Sequence, residues 1–338
     1  MEAEALRYAK SLSKSCREDN IRFELWTVDD PDQVAQVARE ANGDKSVHGV
    51  VIIYPVHDDR CHPREGVRRT YCSISGEYLT RDDYLRDVVS VECDVEGLSR
   101  DYNKSLPSVW ESCLSGLSSS LGGEVTGPLI RPCWAEAMRK VLRECSYVFD
   151  SRMPAGQRLA GQVVSIFDDE SHSIVDPIIS YLLREGACVY SISCRDEATV
   201  YRYESDQCYD TEMSIEECVR ESSIIVAGKV DQKSNGSTML GIDTNWIRQN
   251  TTVVDLSLSQ RAAFDEEEIL TIPGANYICN VDKLAMSLMK LNLVKLYQAY
   301  HYPVNTSPKE GLITQDEKLL ILRGKLKSVV ASACMIAL

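Results

Sequence analysis

The sequence predicts an α/β protein of two domains, each built on a parallel sheet. Three observations carry this. Short apolar runs, "RFELWTV" (22–28), "GVVIIYPV" (49–56), "VVSIF" (163–167) and "IIVAG" (224–228), alternate with stretches of helical period, which is the pattern of βαβ units. The chain has 338 residues, 44% of them hydrophobic, so it can fill more than one core. Between the two groups of runs, Ser115 to Gly123 is mostly serine and glycine, the composition of a flexible connection.

The elements follow in order. Ala5 to Glu18 has helical spacing, with Leu6, Ala9, Leu12 and Cys16 on one face. "RFELWTV" alternates as a strand. "PDQVAQVAREAN" reads as a helix with Pro31 at its start and Gly43 just past its end. "GVVIIYPV" is a buried strand closed by Pro55. Because the chain enters this layer on a helix, the layer lacks its expected first strand. Residues 57–84 are polar and read as an inserted surface loop. "YLRDVVSVECDVEGL" (84–98) passes from a helix into a loop holding Asp94 and Glu96. "RPCWAEAMRKVLREC" (131–145) is amphipathic and leads out of the first domain.

The second domain has strands at 163–167, 187–192, 223–227 and 252–257. A polar excursion at 198–213 interrupts them. A long helix, 282–300, has apolar residues on two stripes and is expected to cross back onto the first domain. The boundaries are then 1–147 for the first domain, 154–281 for a Rossmann-like second, and 305–338 for a tail with room for one more helix.

Composition excludes several classes. A net charge of −14 opposes binding to a phosphate backbone, and no basic stripe offsets it, so no nucleic-acid partner is expected. No run reaches membrane-span length, and the N-terminus has no signal-peptide pattern. The 13 cysteines are odd in number and include no CxxC pair, which argues against a disulfide framework and for a reducing cytoplasm. His57, Cys61 and His62 in "HDDRCH" invite a metal reading. No second cluster supplies the remaining ligands, so no metal is expected.

The stretch from Val163 to Ser193 has the strand–turn–helix–strand order that opens a dinucleotide-binding domain. Its turn, Asp168 to Asp176, contains no glycine and four acidic residues. Such a turn meets a diphosphate with repulsion.

Several local patterns then agree on one family. They are "QVAREANGDKSVHGVVIIYPV" (36–56), "CDVEGL" (93–98), "PLIRPC" (128–133), "PAGQRLAGQVVSI" (154–166) and "YLLREGACVYSIS" (181–193). In this order they resemble the tetrahydrofolate dehydrogenase/cyclohydrolase family, and within it the monofunctional NAD-dependent branch of fungi. The resemblance spans roughly residues 5 to 300. It implies a folate-binding first domain, a Rossmann second domain, and a cleft between them. The implied reaction passes a hydride from the methylene carbon of 5,10-methylenetetrahydrofolate to NAD, giving the methenyl form. A homodimer goes with the family.

The resemblance also implies roles. Tyr8 matches a tyrosine on which a folate ring stacks. The family's lysine four residues later is Leu12 here, so cyclohydrolase activity is not expected. Asp94 and Glu96 match an acidic pair, of which the aspartate is expected to hold the pterin edge. Pro132 and Cys133 match a Pro-Cys pair in the cleft, which makes Cys133 a candidate catalytic residue. Ile53 replaces a glutamine. In the nucleotide site only Ser171, Val175 and Pro177 align with the family's turn, and Gly228 with a glycine after the third strand. "ICNVDKLA" (278–285) replaces a glycine-rich segment. Ser193 and Asp196 lie where the ribose would be read. Asp196 favours NAD, and Arg195 tolerates NADP. The missing glycines and the acidic turn leave a second reading open: an impaired enzyme keeping the scaffold for a binding or regulatory role.

Overall fold

A computed structural model describes residues 2–54, 56–57, 81–99, 130–167, 172–193, 199–204, 207–228, 242–256, 264–301 and 332–337. The first elements are α1 (Glu2–Glu18), β1 (Arg22–Thr27), α2 (Val34–Gly43), β2 (Gly49–Ile52), α3 (Arg81–Val88) and α4 (Cys133–Arg143). A single 3₁₀ turn, Pro31–Gln33, precedes α2, and the Asp30 side chain caps it by accepting from Asp32 N at 3.0 Å. Gly43 is the last residue of α2 rather than its follower.

The larger layer comprises β3 (Val163–Phe167), α5 (His172–Arg184), β4 (Cys188–Ser193), β5 (Thr199–Glu204), β6 (Gln207–Asp210), α6 (Ile215–Glu221), β7 (Ile224–Ala227), β8 (Thr252–Asp255), α7 (Glu266–Leu270), β9 (Asn276–Ile278) and α8 (Val281–Leu296). Its seven-stranded sheet runs β6-β5-β4-β3-β7-β8-β9. From β4 to β9 the neighbours are parallel. The polar excursion at 198–213 is not a loop. It forms β5 and β6, which pair antiparallel on the edge of the sheet. The alternation Val200, Tyr201, Arg202, Tyr203 suits a strand with one wet face.

Side-chain alternation sorts this sheet between two cores. Val164, Ile166, Val189, Ile224, Val226 and Val254 face a core shared with α1, α4, α5 and α8. Phe167, Tyr190, Ile192, Ile225, Ala227 and Val253 face the other. Successive residues of a strand point to opposite faces, so a run buried throughout must feed two cores.

The smaller sheet has three strands in the order β1-β10-β2, where β10 is Ser332–Ala337. Both pairings are parallel. The described residues begin in α1, and the place expected for a first strand is filled from the far end of the sequence. The described part of the tail is therefore a strand and not a helix. Residues 302–331 lie outside the described set, as do residues 58–80 of the inserted loop.

Helix α8 joins the layers. Asn292 Nδ2 donates to Val95 O at 2.9 Å and to Arg131 O at 3.0 Å. Lys290 Nζ donates to Ser15 Oγ at 2.7 Å and pairs with Asp19. A Cβ on Gly49 would lie 2.5 Å from Val95 Cγ1 and 2.7 Å from Leu293 Cδ1, so α8 approaches β2 as closely as a glycine permits. The helix ends in one π turn, Tyr297–His301.

Candidate active site

The loop after α3 builds the acidic centre. Val50 N donates to Cys93 O at 2.8 Å, which sets the loop beside β2. Asp94 is buried, and its two carboxylate oxygens accept from Gly97 N at 2.9 Å and Ser99 N at 2.8 Å. Those bonds spend the aspartate on holding the loop. Gly97 has φ +72°, and a Cβ there would lie 2.8 Å from Arg131 C and O and from Pro132 N. The glycine of "CDVEGL" therefore serves both a left-handed turn and a close approach.

Glu96 is the carboxylate this leaves over. Burial and the neighbouring Asp94 charge push it up to about 8, while Ile52 N–H and Arg86 pull the other way. Burial pushes Asp94 up to about 6. Glu96 O accepts from Cys133 N at 3.0 Å at the start of α4. The Cys133 side chain is fully buried, and burial with the two carboxyls drives its thiol well above the ordinary range. A buried protonated thiol is a poor nucleophile. What Cys133 contributes in this structure is its backbone amide.

Tyr8 lies on α1 facing the same place. Burial, then Glu96 and Cys133, raise its hydroxyl well above the ordinary value, and the hydroxyl donates to Met289 Sδ at 3.9 Å. One turn on, Leu12 is 3% exposed and packs in the shared core with Ala9 and Cys16. Ile53 packs against that core too.

The larger sheet meets this centre at the carboxyl ends of its strands. The chain goes from β3 to β4 on one side and later to β7 on the other. That makes β3/β7 a switch point, where open α/β sheets take ligands. Gly228 stands there, its N–H donating to Phe167 O at 2.6 Å. Pro177 lies inside α5, so Ser173 C=O receives no bond from it and the first turns of the helix are loosened. Ser193 ends β4, opposite Thr199. Ser171 and Asp196 lie outside the described residues, as do Asp168, Asp169 and Glu170.

At the centre, the sequence marks Asp176 only as a charge opposing phosphate and gives no site signal for Asp282 or Asn292. Asp176, expected to oppose phosphate, is buried, and its carboxylate lies 3.7 Å from Arg86 Nη1. Asp282, in the first turn of α8, is buried with Oδ1 lacking any hydrogen-bond partner among the described residues. Asn292 ties the loop as described. No spacing rule links these positions, because their neighbours are distant in sequence. His57 N donates to Asp82 Oδ1 at 3.0 Å. Cys61 and His62 fall outside the described residues.

No family model matches the chain. It is 25% identical over 298 residues to the NAD-dependent methylenetetrahydrofolate dehydrogenase of Dictyostelium discoideum, covering 87% of this chain and 82% of that protein. The enzyme of the same name from Schizosaccharomyces pombe is 26% identical over 297 residues, covering 86% and 80%. The chain resembles NAD-dependent methylenetetrahydrofolate dehydrogenases. The solved structure of the NAD-dependent 5,10-methylenetetrahydrofolate dehydrogenase of Saccharomyces cerevisiae matches with a TM-score of 0.58 at 21% identity, over 87% of this chain and 83% of that one. That match shows a shared α/β architecture. The recognition drawn from "CDVEGL" and its companion segments thus agrees with full-length relatives.

Proposed function

We propose that this chain oxidises 5,10-methylenetetrahydrofolate with NAD, passing the hydride of the methylene carbon to the nicotinamide and leaving the methenyl form. One observation carries the reading. The acidic loop at Glu96 and the ring of Tyr8 converge where α8 brings the smaller layer against the larger sheet, in a chain similar over most of its length to enzymes of that name.

The residues fit a dinucleotide. Gly228 stands at the switch point without a side chain, and Asp282 Oδ1 is a buried acceptor with no donor of its own among the described residues. Gly228, Ser193 and the start of α5 near Pro177 would hold it, with Ser171 and Asp196 as the further candidates. When bound, NAD supplies the hydride acceptor. NADP remains the second cofactor to test.

The protein's own residues position and enclose. The ring of Tyr8 offers a stacking surface for the folate. Glu96 takes the pterin edge: the paired N–H donors of the bound ring favour its ionised form, and a carboxylate matches them. Asp94, expected from sequence to do this, holds the loop that aims Glu96. The substrate's nitrogen lone pair expels the hydride, so orientation supplies most of the acceleration. With Leu12 buried where a lysine would serve hydrolysis, cyclohydrolase activity is absent from this proposal.

The domain assignment is then residues 1–147 with α8 and the tail strand β10 for folate, and 154–281 for NAD. A cytoplasmic setting agrees with the free, buried Cys16, Cys93, Cys133, Cys145 and Cys218. No helix among the described residues is long and apolar enough to cross a membrane. A homodimer completes the proposal, and light scattering tests it. For the activity, the purified protein is titrated with NAD and NADP and then given 5,10-methylenetetrahydrofolate while reduced-cofactor absorbance is followed. Saturable binding with turnover is expected. No binding of either dinucleotide at millimolar concentration overturns the reading.

A further inference from the structure

Of the four acidic residues that oppose a diphosphate here, Asp176 lies among the described residues, and the structure contains a buried counter-charge for it. Arg86 belongs to α3, in the smaller layer. Asp176 belongs to α5, the helix after the first strand of the larger sheet. Arg86 Nη1 lies 3.7 Å from Asp176 Oδ2, with side-chain exposures of 1% and 10%. The Arg86 guanidinium carbon also lies 5.8 Å from the centroid of the Tyr54 ring, a cation–π distance. Its charge reaches Asp82 and Glu96 as well. One buried cation thus stands between the acidic loop and the start of the nucleotide helix.

Burial sharpens this. A carboxylate buried near the amino end of a helix opposes an incoming diphosphate with little screening, and it occupies the end of the helix dipole that favours anions. A cation held against it cancels most of that field at the diphosphate. We propose that Arg86 is a positioning residue for the dinucleotide: by pairing with Asp176 across the two layers, it neutralises the buried carboxylate in the second turn of α5 and so lowers the repulsion a diphosphate meets at the amino end of that helix. The inference rests on the NAD-binding reading above. It adds that the cation comes from the folate-side layer, so the nucleotide site is complete only when both layers are docked.

The test is a double-mutant cycle. NAD affinity is measured by tryptophan fluorescence for the wild type, Arg86→Met, Asp176→Asn and the double variant, each checked by thermal melting. Arg86→Met is expected to weaken NAD by about tenfold or more. Asp176→Asn is expected to bind as the wild type does, or tighter. The double variant should return to within about threefold of wild type, because no carboxylate remains to neutralise. Unchanged affinity in Arg86→Met overturns the inference. So does a double variant as weak as Arg86→Met, since Arg86 would then act through packing alone. If Arg86→Met does not fold, the comparison of Asp176→Asn with the double variant decides: equal affinities support the pair as a charge device, and a tenfold gap overturns it. A wild type that binds no dinucleotide fails the functional reading itself, whereas wild-type binding with an unaffected Arg86→Met fails only this inference.

Discussion

Asp94 and Glu96 cannot both ionise in a buried loop without a penalty, and the penalty falls on Glu96. Its folded value near 8 and that of Asp94 near 6 lie above ordinary carboxylate values. Between the unfolded and folded values the native protein holds more protons, so stability falls as pH rises through that window. Glu96→Gln is therefore expected to melt above wild type at about pH 9, by about 1–3 kcal/mol, and close to it near pH 5. The same substitution removes the paired acceptor for the pterin. Its kcat/KM for the folate should drop at least about tenfold while NAD affinity stays unchanged. A pH-independent difference in melting would show that Glu96 does not carry the proton. Gly97 gives the complementary case. With φ +72° and backbone 2.8 Å from its missing Cβ, Gly97→Ala is expected to lose at least about 2 kcal/mol in urea melts. Both residues stand in a six-letter segment that the sequence singles out. The division of labour between Asp94 and Glu96 is not in the letters, because it depends on which oxygens the loop's own amides reach.

At the scale of elements, β10 matters most for the smaller layer. It lies between β1 and β2, parallel to both, in register from Arg22↔Ser332 to Thr27↔Ala337 and from Ala333↔Gly49 to Ile336↔Ile52. Without it the two strands have no common neighbour and the sheet has no centre. A proline in a central strand removes a ladder bond and cannot be accommodated there. Met335→Pro is therefore expected to abolish hydrogen-exchange protection of the β1 and β2 amides while those of β3 and β7 stay protected. Loss of protection in both sheets would mean that β10 supports the whole molecule. This strand also marks the limit of sequence reading. "SACMIA" is a short apolar run whose period suits helix or strand, and its partners are at the other end of the chain. The strands β3, β4, β7 and β8 were legible because each is a buried parallel run, bounded by turn residues. The hairpin β5–β6 was missed because its wet face gives it the polarity of a loop.

Over the whole molecule, the two sheets do not have separate interiors. One apolar cluster contains Ala9, Leu12 and Cys16 of α1, Val51 of β2, Met138 and Leu142 of α4, Ile178 and Leu182 of α5, Ile166 and Val226 of the larger sheet, and Met286, Met289 and Leu293 of α8. Two domains joined only by a linker would melt independently. A shared core makes each layer part of the other's stability, and the Arg86–Asp176 pair adds a polar contact between them. We therefore expect a single unfolding transition, with tryptophan fluorescence and far-UV dichroism coincident in urea. Trp26 packs against the core of the smaller layer and Trp246 against the far face of the larger sheet, so the fluorescence reports on both. Met289→Ala opens a cavity in the shared cluster and is expected to lower both signals together, by about 2–5 kcal/mol. Separated transitions, with only one shifted by Met289→Ala, would mean that the layers fold as independent units and that α8 belongs energetically to one of them.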